Sequence, residues 1–244
     1  MTFDLTPEQL ELALHARQLA GRIGAAAATA LDVGGTLPAD VRNVLGDGSL
    51  ADAFGRGAVQ AVAVIEEISA VSAGLGATIG FAAADASHSQ SGGVGPDLPG
   101  LRGCETALAA LSQASDAAKR RGRLVAAAVA VGVGRAALVH AVAAMKAAGV
   151  RPGPDEQAPH WVIADGATEV EAARMLTYRA AQALDHNDGD AGDLVARAKR
   201  FAAMAAEQAV NAAIRMEGPG GYVRGGVLDR LTRDARTLAV TLEA

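Results

Sequence analysis

The sequence is poor in cysteine, in aromatic residues and in basic charge, each of which other classes of protein need. Only one cysteine, Cys104, occurs among 244 residues, which excludes an internal disulfide framework and a zinc-knuckle module. Aromatic residues make up 3% of the chain, so bulky rings cannot fill its core. The formal net charge of −5 disfavours a function that depends on neutralising nucleic-acid phosphates.

Metal-binding patterns are also missing. The histidines are scattered without ligand spacing, at His15, His88, His140, His160 and His186. The acidic connection at residues 185–193 lacks the glutamate that closes a calcium-binding loop. We therefore expect no metal site.

The first residues show no basic region followed by an apolar run, so no secretory signal is expected. Apolar stretches are broken by glycine or charge and fall short of the roughly 20 residues that span a bilayer. The sequence predicts a cytoplasmic protein without a membrane span.

Alanine is what the chain has in abundance, with 59 of 244 positions. Alanine has the best intrinsic helix propensity, whereas the residues that favour strands are comparatively few. Small side chains also let helices pack closely, which suits a core short of aromatic volume. We therefore predict an all-α fold.

Local signals place the first helices. Thr6, Pro7 and Gln9 form a capping box with proline at the first helical position, so a helix begins there. Glycine and proline break the pattern after residue 33. The segments that follow are a short helix at 38–45, a loop at 46–57 and apolar helices at 58–73 and 75–86.

Residues 87–103 are rich in serine, glycine and proline, which predicts a linker. A phosphate-cradling loop is disfavoured, because there is no Gly-Lys-Ser/Thr end and no preceding strand. Four long helices then predict an up-down four-helix bundle, at 104–148, 157–186, 191–216 and 224–242. The expected organisation is an amino-terminal helical domain at 1–86, the linker, and the carboxy-terminal bundle at 104–244.

Several segments, in this order, resemble the flavin-dependent acyl-CoA dehydrogenases. The resemblance rests on their order and spacing, and the matching segments are 5–9, 63–69, 122–127, 131–138, Gln157, 163–165, 171–181, 198–202, 220–222 and 233–236. The family normally has a β-domain between its two helical halves. Here only the linker stands between them, so the chain resembles a shortened member without that domain.

The resemblance implies an FAD-dependent oxidoreductase of lipid metabolism that removes an α-proton from an acyl-CoA thioester and passes the β-hydride to flavin. A glutamate base must lie within hydrogen-bond reach of that proton. The two positions that match the family's base are Leu242 and Gly122, so the base is missing from both. Glu243 is the remaining weak candidate, but it lies about 100° further around a helix. The alternative is that Glu243 is a solvated terminal carboxylate.

The resemblance also implies FAD contacts. Gly218, Gly220 and Gly221 match a turn whose glycines leave room for phosphate oxygens, or they simply end a helix. Arg215 stands where the family has a glutamine. It either pairs with pyrophosphate or is a solvated cation at a helix end, and both interpretations stay open.

Two further cations are candidates by resemblance. Lys146 lies where the family has a flavin-contacting arginine, and a solvated lysine is the alternative. Arg123, in a basic run that opens the long helix, matches a region near the nucleotide end of the thioester. A solvated charged face is the alternative for this run.

Three functional hypotheses remain open on the sequence. The chain is a dehydrogenase subunit that works only in an oligomer with a complete partner, a catalytically inactive partner subunit, or a flavin-free enzyme that uses the helical groove. Removal of a covering domain exposes apolar surface, and such surface marks interfaces. We therefore expect a homo- or hetero-oligomer, including one with a full-length acyl-CoA dehydrogenase subunit.

Overall fold

The computed structural model describes residues 5–34, 53–85, 98–150 and 157–242. The helix predicted at 38–45, most of the loop at 46–57, linker residues 87–97 and Glu243 lie outside these ranges. Within the described ranges every regular element is a helix. The all-α prediction is therefore confirmed.

The amino-terminal half has the helices α1 (Pro7–Gly34), α2 (Ala53–Arg56), α3 (Ala58–Ser69) and α4 (Ala73–Ala84). The capping box forms as predicted, because the Thr6 N–H donates to Gln9 Oε1 at 2.9 Å and the Gln9 N–H to Thr6 Oγ1 at 3.3 Å. One prediction is wrong here. The short helix α2 lies inside the segment expected to be loop.

The carboxy-terminal half has α5 (Glu105–Ser112), α6 (Asp116–Ala147), α7 (Gln157–Asp185), α8 (Ala191–Glu217) and α9 (Val227–Val240), with a 3-10 turn at Gly218–Tyr222. The four long helices of the predicted bundle are present as α6 to α9. The helix predicted as continuous from 104 to 148 is interrupted. Ser115 starts α6 because its Oγ accepts from the Ala118 N–H at 3.3 Å, and its extended backbone, with φ −62° and ψ 159°, interrupts the helical run before it.

α6 is the central helix, and its small residues let neighbours approach. A Cβ at Gly132 would lie 2.8 Å from the Glu66 carbonyl oxygen of α3. A Cβ at Gly134 would lie 2.8 Å from Val170 of α7 and 3.6 Å from Ala206 of α8. The alanine and glycine content therefore serves close helix packing, as the composition indicates.

The prediction that every apolar stretch is too short to span a bilayer is wrong for α6. By length and composition it is the one helix of the described ranges able to cross a bilayer. Of its most apolar window, 67% is buried inside the structure. Its apolar character is thus used in contacts with the other helices.

Asp185 joins the bundle to α3. It lies at the end of α7, and its two carboxylate oxygens accept from the Ala58 and Val59 N–H groups at 2.6 and 3.1 Å. These are orphan donors of the first turn of α3, so a side chain more than 120 residues away caps that helix. The cap fixes where the acidic residues of α3 meet α6 and α7.

The described part of the linker, residues 98–103, is held against α9. The Leu101 N–H donates to Asp234 Oδ1 at 2.6 Å, and Arg233 Nη1 donates to the Pro99 carbonyl at 2.8 Å. A Cβ at Gly100 would lie 2.2 Å from the Arg233 carbonyl oxygen, so only glycine permits this approach. Arg233 also forms two hydrogen bonds to Asp32 of α1, at 2.9 and 2.6 Å.

Candidate functional site

Acidic and basic side chains meet where α1, α3, α6 and α7 cross, and we call this group the charged cluster (Arg17, Glu66, Glu67, Arg135, Arg174 and Tyr178). Glu66 is only 1% exposed. Arg135 Nη1 donates to Glu66 at 2.5 Å, and Arg174 Nε donates to both Glu66 oxygens at 2.9 and 3.1 Å. The Tyr178 hydroxyl donates to the same carboxylate at 3.1 Å.

Glu67 is held in the same way. Arg17 donates to its two oxygens at 2.8 and 2.9 Å, and Arg135 donates at 3.0 Å. Burial by itself would raise the pKa of Glu67, but the Arg17 hydrogen bond and the Arg135 charge outweigh burial and lower this pKa. Burial, and then the Glu66 charge, raise the pKa of Tyr178.

A cavity of about 340 Å³ borders the charged cluster, and its charged lining is three arginines and three glutamates. These charges compensate one another inside the protein. The Glu-Glu segment of α3 is thus engaged in holding four helices together. Buried charges that are paired in this way support a structural assignment.

Gly122 and Leu242, the two positions that the resemblance equates with the family's base, lie close together. A Cβ at Gly122 would lie 3.1 Å from Leu242 Cδ1 and 2.2 Å from Leu111 Cδ2. Leu111 is fully buried. We call Leu111, Gly122 and Leu242 the apolar contact, since none of the three offers a group that can take a proton.

Basic side chains flank the apolar contact. Arg123 Nε donates to the Leu242 carbonyl oxygen at 3.2 Å, and Lys199 Nζ donates to the Ala239 carbonyl oxygen at 2.9 Å. Arg123, the candidate for substrate binding, is thus engaged with the end of α9. Sequence reasoning missed Leu111 and Lys199. The signal for Lys199 is its place on an α8 face that also carries buried Ala198 and Ala202.

Each glycine of the turn after α8 has a structural reason. Gly218 has a φ of 69°, in the left-handed region that favours glycine at a helix end. A Cβ at Gly221 would lie 3.2 Å from Ile214 Cα, so the chain packs back on α8. A Cβ at Gly220 would lie 3.3 Å from a carboxylate oxygen of Glu217.

The predicted cofactor-binding cations lie at the same end of the bundle. Arg215 is exposed and lines a groove of about 350 Å³ between α7 and α8, together with Asp165 and Glu169. Lys146 is exposed in the last turn of α6. His140 Nε2 contacts Glu217 Oε2, which places the second half of α6 beside the turn.

This arrangement does not fit the pyrophosphate of FAD in this chain alone. Pro219 removes one backbone donor from the turn. The Glu217 carboxylate stands beside Gly220, and the Arg215 groove carries two carboxylates against one guanidinium. Carboxylates this close to Arg215 and Gly220 repel the negatively charged pyrophosphate.

Metal and thiol chemistry find no support in the described residues. No group of three or more histidine, cysteine, aspartate or glutamate side chains is placed there to hold a metal ion. Cys104 is buried and free. Burial, with the nearby charges of Glu105 and Asp234, raises the pKa of its thiol, so the reactive thiolate is disfavoured.

Comparison with known proteins identifies what the chain is similar to. The sequence profile of the acyl-CoA dehydrogenase carboxy-terminal domain matches residues 113–241. Over 122 residues the chain is 39% identical to an acyl-CoA dehydrogenase of Bacillus subtilis, which is 49% of this chain and 32% of that protein. It is 36% identical over 121 residues to a 3-(aryl)acrylate reductase of Clostridium sporogenes, with the same shares. The matched part is therefore about a third of these relatives' length.

Solved structures show the same fold across the whole chain. The butyryl-CoA dehydrogenase of Megasphaera elsdenii superposes with a TM-score of 0.78 at 17% identity, covering 99% of this chain and 96% of that one. A glutaryl-coenzyme A dehydrogenase complexed with glutaryl-CoA gives a TM-score of 0.79 at 18% identity, covering 100% and 93%. Identities this low establish the fold alone.

Proposed function

The chain belongs to the acyl-CoA dehydrogenase family, and from that premise we propose that it serves α,β-desaturation of an acyl-CoA thioester as one subunit of an oligomer with a complete partner. The partner supplies the base and holds the FAD. Within its described residues, this chain supplies helical surface and no proton acceptor at the two positions that the resemblance equates with the base. The observation that carries the proposal is the apolar contact of Leu111, Gly122 and Leu242.

A first support for the proposal is that the two positions equated with the base carry no carboxylate. A base acts only from within hydrogen-bond reach of the proton that it removes. A glutamate at position 122 would collide with Leu111, whose Cδ2 lies 2.2 Å from the required Cβ. Leu242 offers only methyl groups, and Arg123 and Lys199 bind carbonyl oxygens of this terminal segment. Proton abstraction is therefore assigned to another subunit.

A second support for the proposal is that the turn after α8 does not suit a flavin. Pro219, Glu217 and the carboxylates beside Arg215 disfavour a pyrophosphate at the turn after α8. A complete family member carries its own flavin-binding residues and a β-domain, whereas the described residues of this chain form only helices. The assembly therefore holds its flavin on the partner.

A catalytically inactive structural subunit is the second candidate function. The apolar contact also favours this function, because Leu111 fills the space in front of Gly122. The two functions differ in one respect. A dehydrogenase subunit changes the turnover of its partner, whereas a structural subunit changes only the partner's stability or assembly.

Co-expression with a full-length acyl-CoA dehydrogenase tests both. We expect a stable complex with one flavin per complete subunit, acyl-CoA-dependent reduction of an electron acceptor, and a kcat/KM above that of the complete subunit alone. Equal kcat/KM with and without this chain, in a stable complex, supports the structural subunit.

The control is the chain by itself, together with its Arg215→Gln variant. We expect neither to bind FAD or to turn over an acyl-CoA thioester. Stoichiometric flavin on the isolated chain, or dehydrogenation by it, contradicts the proposal. Failure to form any complex with a complete family member contradicts both candidate functions.

A further inference from the structure

A third surface of α6, separate from the charged cluster and the apolar contact, forms a groove with α1 and α9. Its volume is about 420 Å³. Apolar residues of all three helices line it, among them Ala20, Ala136, Val139, Val227 and Leu231. We call it the α1–α6–α9 groove.

Two glycines of α1 open this groove. Gly24 has a φ of 68° and a ψ of 167°, so α1 kinks there. A Cβ built at Gly21 meets no atom within 4 Å. The space in front of α1 is therefore free for a ligand, and a larger residue at position 21 would fill it without a clash.

Charge distinguishes this groove from the other described cavities. Its ionisable lining is Arg135, His140 and Arg230, with no carboxylate among the described residues around it. The cavity at the charged cluster carries three glutamates. The groove of Arg215 and a small cavity at Asp234 each carry two carboxylates.

Arg230 is the basic residue of the groove with a donor to offer. Arg135 is bonded to Glu66 and Glu67, and His140 is in contact with Glu217. The Nη1 nitrogen of Arg230 is buried and has no hydrogen-bond partner. This nitrogen is shielded from solvent, but the Arg230 side chain lines the groove, so its guanidinium has hydrogen-bonding capacity for an acceptor placed there.

The size of the two spaces that Arg230 borders decides where such a ligand lies. The small cavity at Asp32 and Asp234 holds about 10 Å³, which is room for about one water molecule. The α1–α6–α9 groove is about 40 times larger and lies within the usual range of ligand pockets. Of the two spaces that Arg230 borders, only the groove has room for an organic anion.

We propose that the α1–α6–α9 groove binds a small carboxylate with an apolar tail. The carboxylate accepts hydrogen bonds from Arg230, and the tail lies along Gly21, Ala136 and Val139. The ligand is a free carboxylic acid, since the groove suits one charged head and a narrow apolar body. This site is independent of the proposed function, because it needs neither flavin nor a partner subunit.

Titration calorimetry of the full chain with octanoate tests the site. We expect saturable binding of one octanoate per chain, and binding at least tenfold weaker for octanol, which keeps the tail and lacks the charge. From hexanoate to octanoate the affinity should rise roughly fourfold per methylene. Absence of saturable binding, or equal affinity for octanoate and octanol, overturns the proposal.

Two variants locate the ligand. Arg230→Gln should weaken octanoate binding about tenfold or more and leave octanol binding unchanged. Gly21→Phe should abolish binding of both. The matched controls are Arg197→Gln and Gly189→Phe, at exposed positions outside the groove, which should bind octanoate as the unaltered chain does.

Far-UV circular dichroism and size-exclusion chromatography accompany each variant. Helical content equal to that of the unaltered chain makes a loss of binding specific to the groove. If Gly21→Phe dissociates an oligomer and octanoate still binds, the groove is a protein interface and the carboxylate site is rejected. Unchanged octanoate binding in both groove variants rejects it as well.

Discussion

Two regions of α6 that both match the acyl-CoA dehydrogenase family have opposite chemistry. At Arg135 the helix enters the charged cluster, where two buried glutamates are each bonded to two arginines. Thirteen residues earlier, about 20 Å along the helix axis, Gly122 lies in the apolar contact with Leu111 and Leu242. The charged end joins helices, and the apolar end includes a position that the sequence resemblance equates with the family's catalytic carboxylate.

The difference teaches that the parts of a sequence that support a fold and the parts that support its reaction are separable. Side chains at the charged cluster have partners on three other helices, so the fold depends on them. The apolar contact keeps the packing without any group for proton transfer. A family fold therefore does not establish a family reaction.

Breaking the charged cluster is the test with the largest expected effect. Glu66→Ala leaves Arg135, Arg174 and Tyr178 without their shared acceptor. Removal of one partner from a buried charged network costs about 3–5 kcal/mol. We expect a loss of that size in the free energy of unfolding, measured by urea denaturation followed by circular dichroism.

Glu171→Gln is the control for this prediction. Glu171 also bonds to Arg174, at 3.3 Å, but its side chain is 58% exposed. Exposed ion pairs contribute roughly 0–1 kcal/mol, so this variant should change stability little. Equal losses for Glu66→Ala and Glu171→Gln would mean that the buried cluster does not stabilise the fold.

Asp234 sharpens the comparison, because it is a buried carboxyl that accepts a hydrogen bond from the Leu101 backbone N–H at 2.6 Å. Burial raises the pKa of Asp234 to about 6 from its usual 3.8, although the Leu101 N–H lowers it in part. The folded protein therefore holds this proton more tightly than the unfolded chain. The resulting stabilisation is complete below pH 3.8 and is lost as the pH rises through about 6.

The variant Asp234→Asn removes this titration and keeps an oxygen to accept from Leu101. Across the interval from pH 3.8 to 6 the unaltered chain should lose about 3 kcal/mol relative to the variant. Unfolding free energies measured in urea at several pH values give this difference. Parallel pH profiles for the two proteins would show that Asp234 does not titrate in this interval.

Local sequence signals predicted the elements on which this comparison is built, but not their contacts. The capping box at Thr6 and the helical alanine content are local, and both are confirmed. The cap at Ser115, which interrupts the helix predicted at 104–148, is also local but was missed. Its hydroxyl acts on a residue only three positions away.

The site contacts could not be predicted in the same way. Glu66 meets Arg135 and Arg174 across 69 and 108 residues, and periodicity carries no information about such partners. The resemblance named Gly122 and Leu242 as equivalent positions for a base. That Leu111 of α5 fills the space in front of Gly122 depends on tertiary packing.

The next prediction perturbs the apolar contact. Gly122→Ala places a methyl group within 2.2 Å of Leu111 Cδ2, and overpacking of this kind costs about 1–3 kcal/mol. We expect that loss in urea denaturation. Leu111→Ala makes room for the methyl, so the double variant should be less destabilised than the sum of the two single variants. Strict additivity would show that residues 111 and 122 are not in contact.

The smallest expected effect comes from removing the Asp185 carboxylate, which caps the first turn of α3. Asp185→Ala removes the acceptor of the Ala58 and Val59 N–H groups, and loss of an N-cap costs roughly 1 kcal/mol. Asp190→Ala is the control, because Asp190 occupies the N-cap position of α8 without a side-chain cap hydrogen bond. In hydrogen exchange, Asp185→Ala should speed exchange in the first turn of α3, and Asp190→Ala should not. If exchange there is unchanged, the arginines of the charged cluster hold α3 in place, and the Asp185 cap does not fix its position.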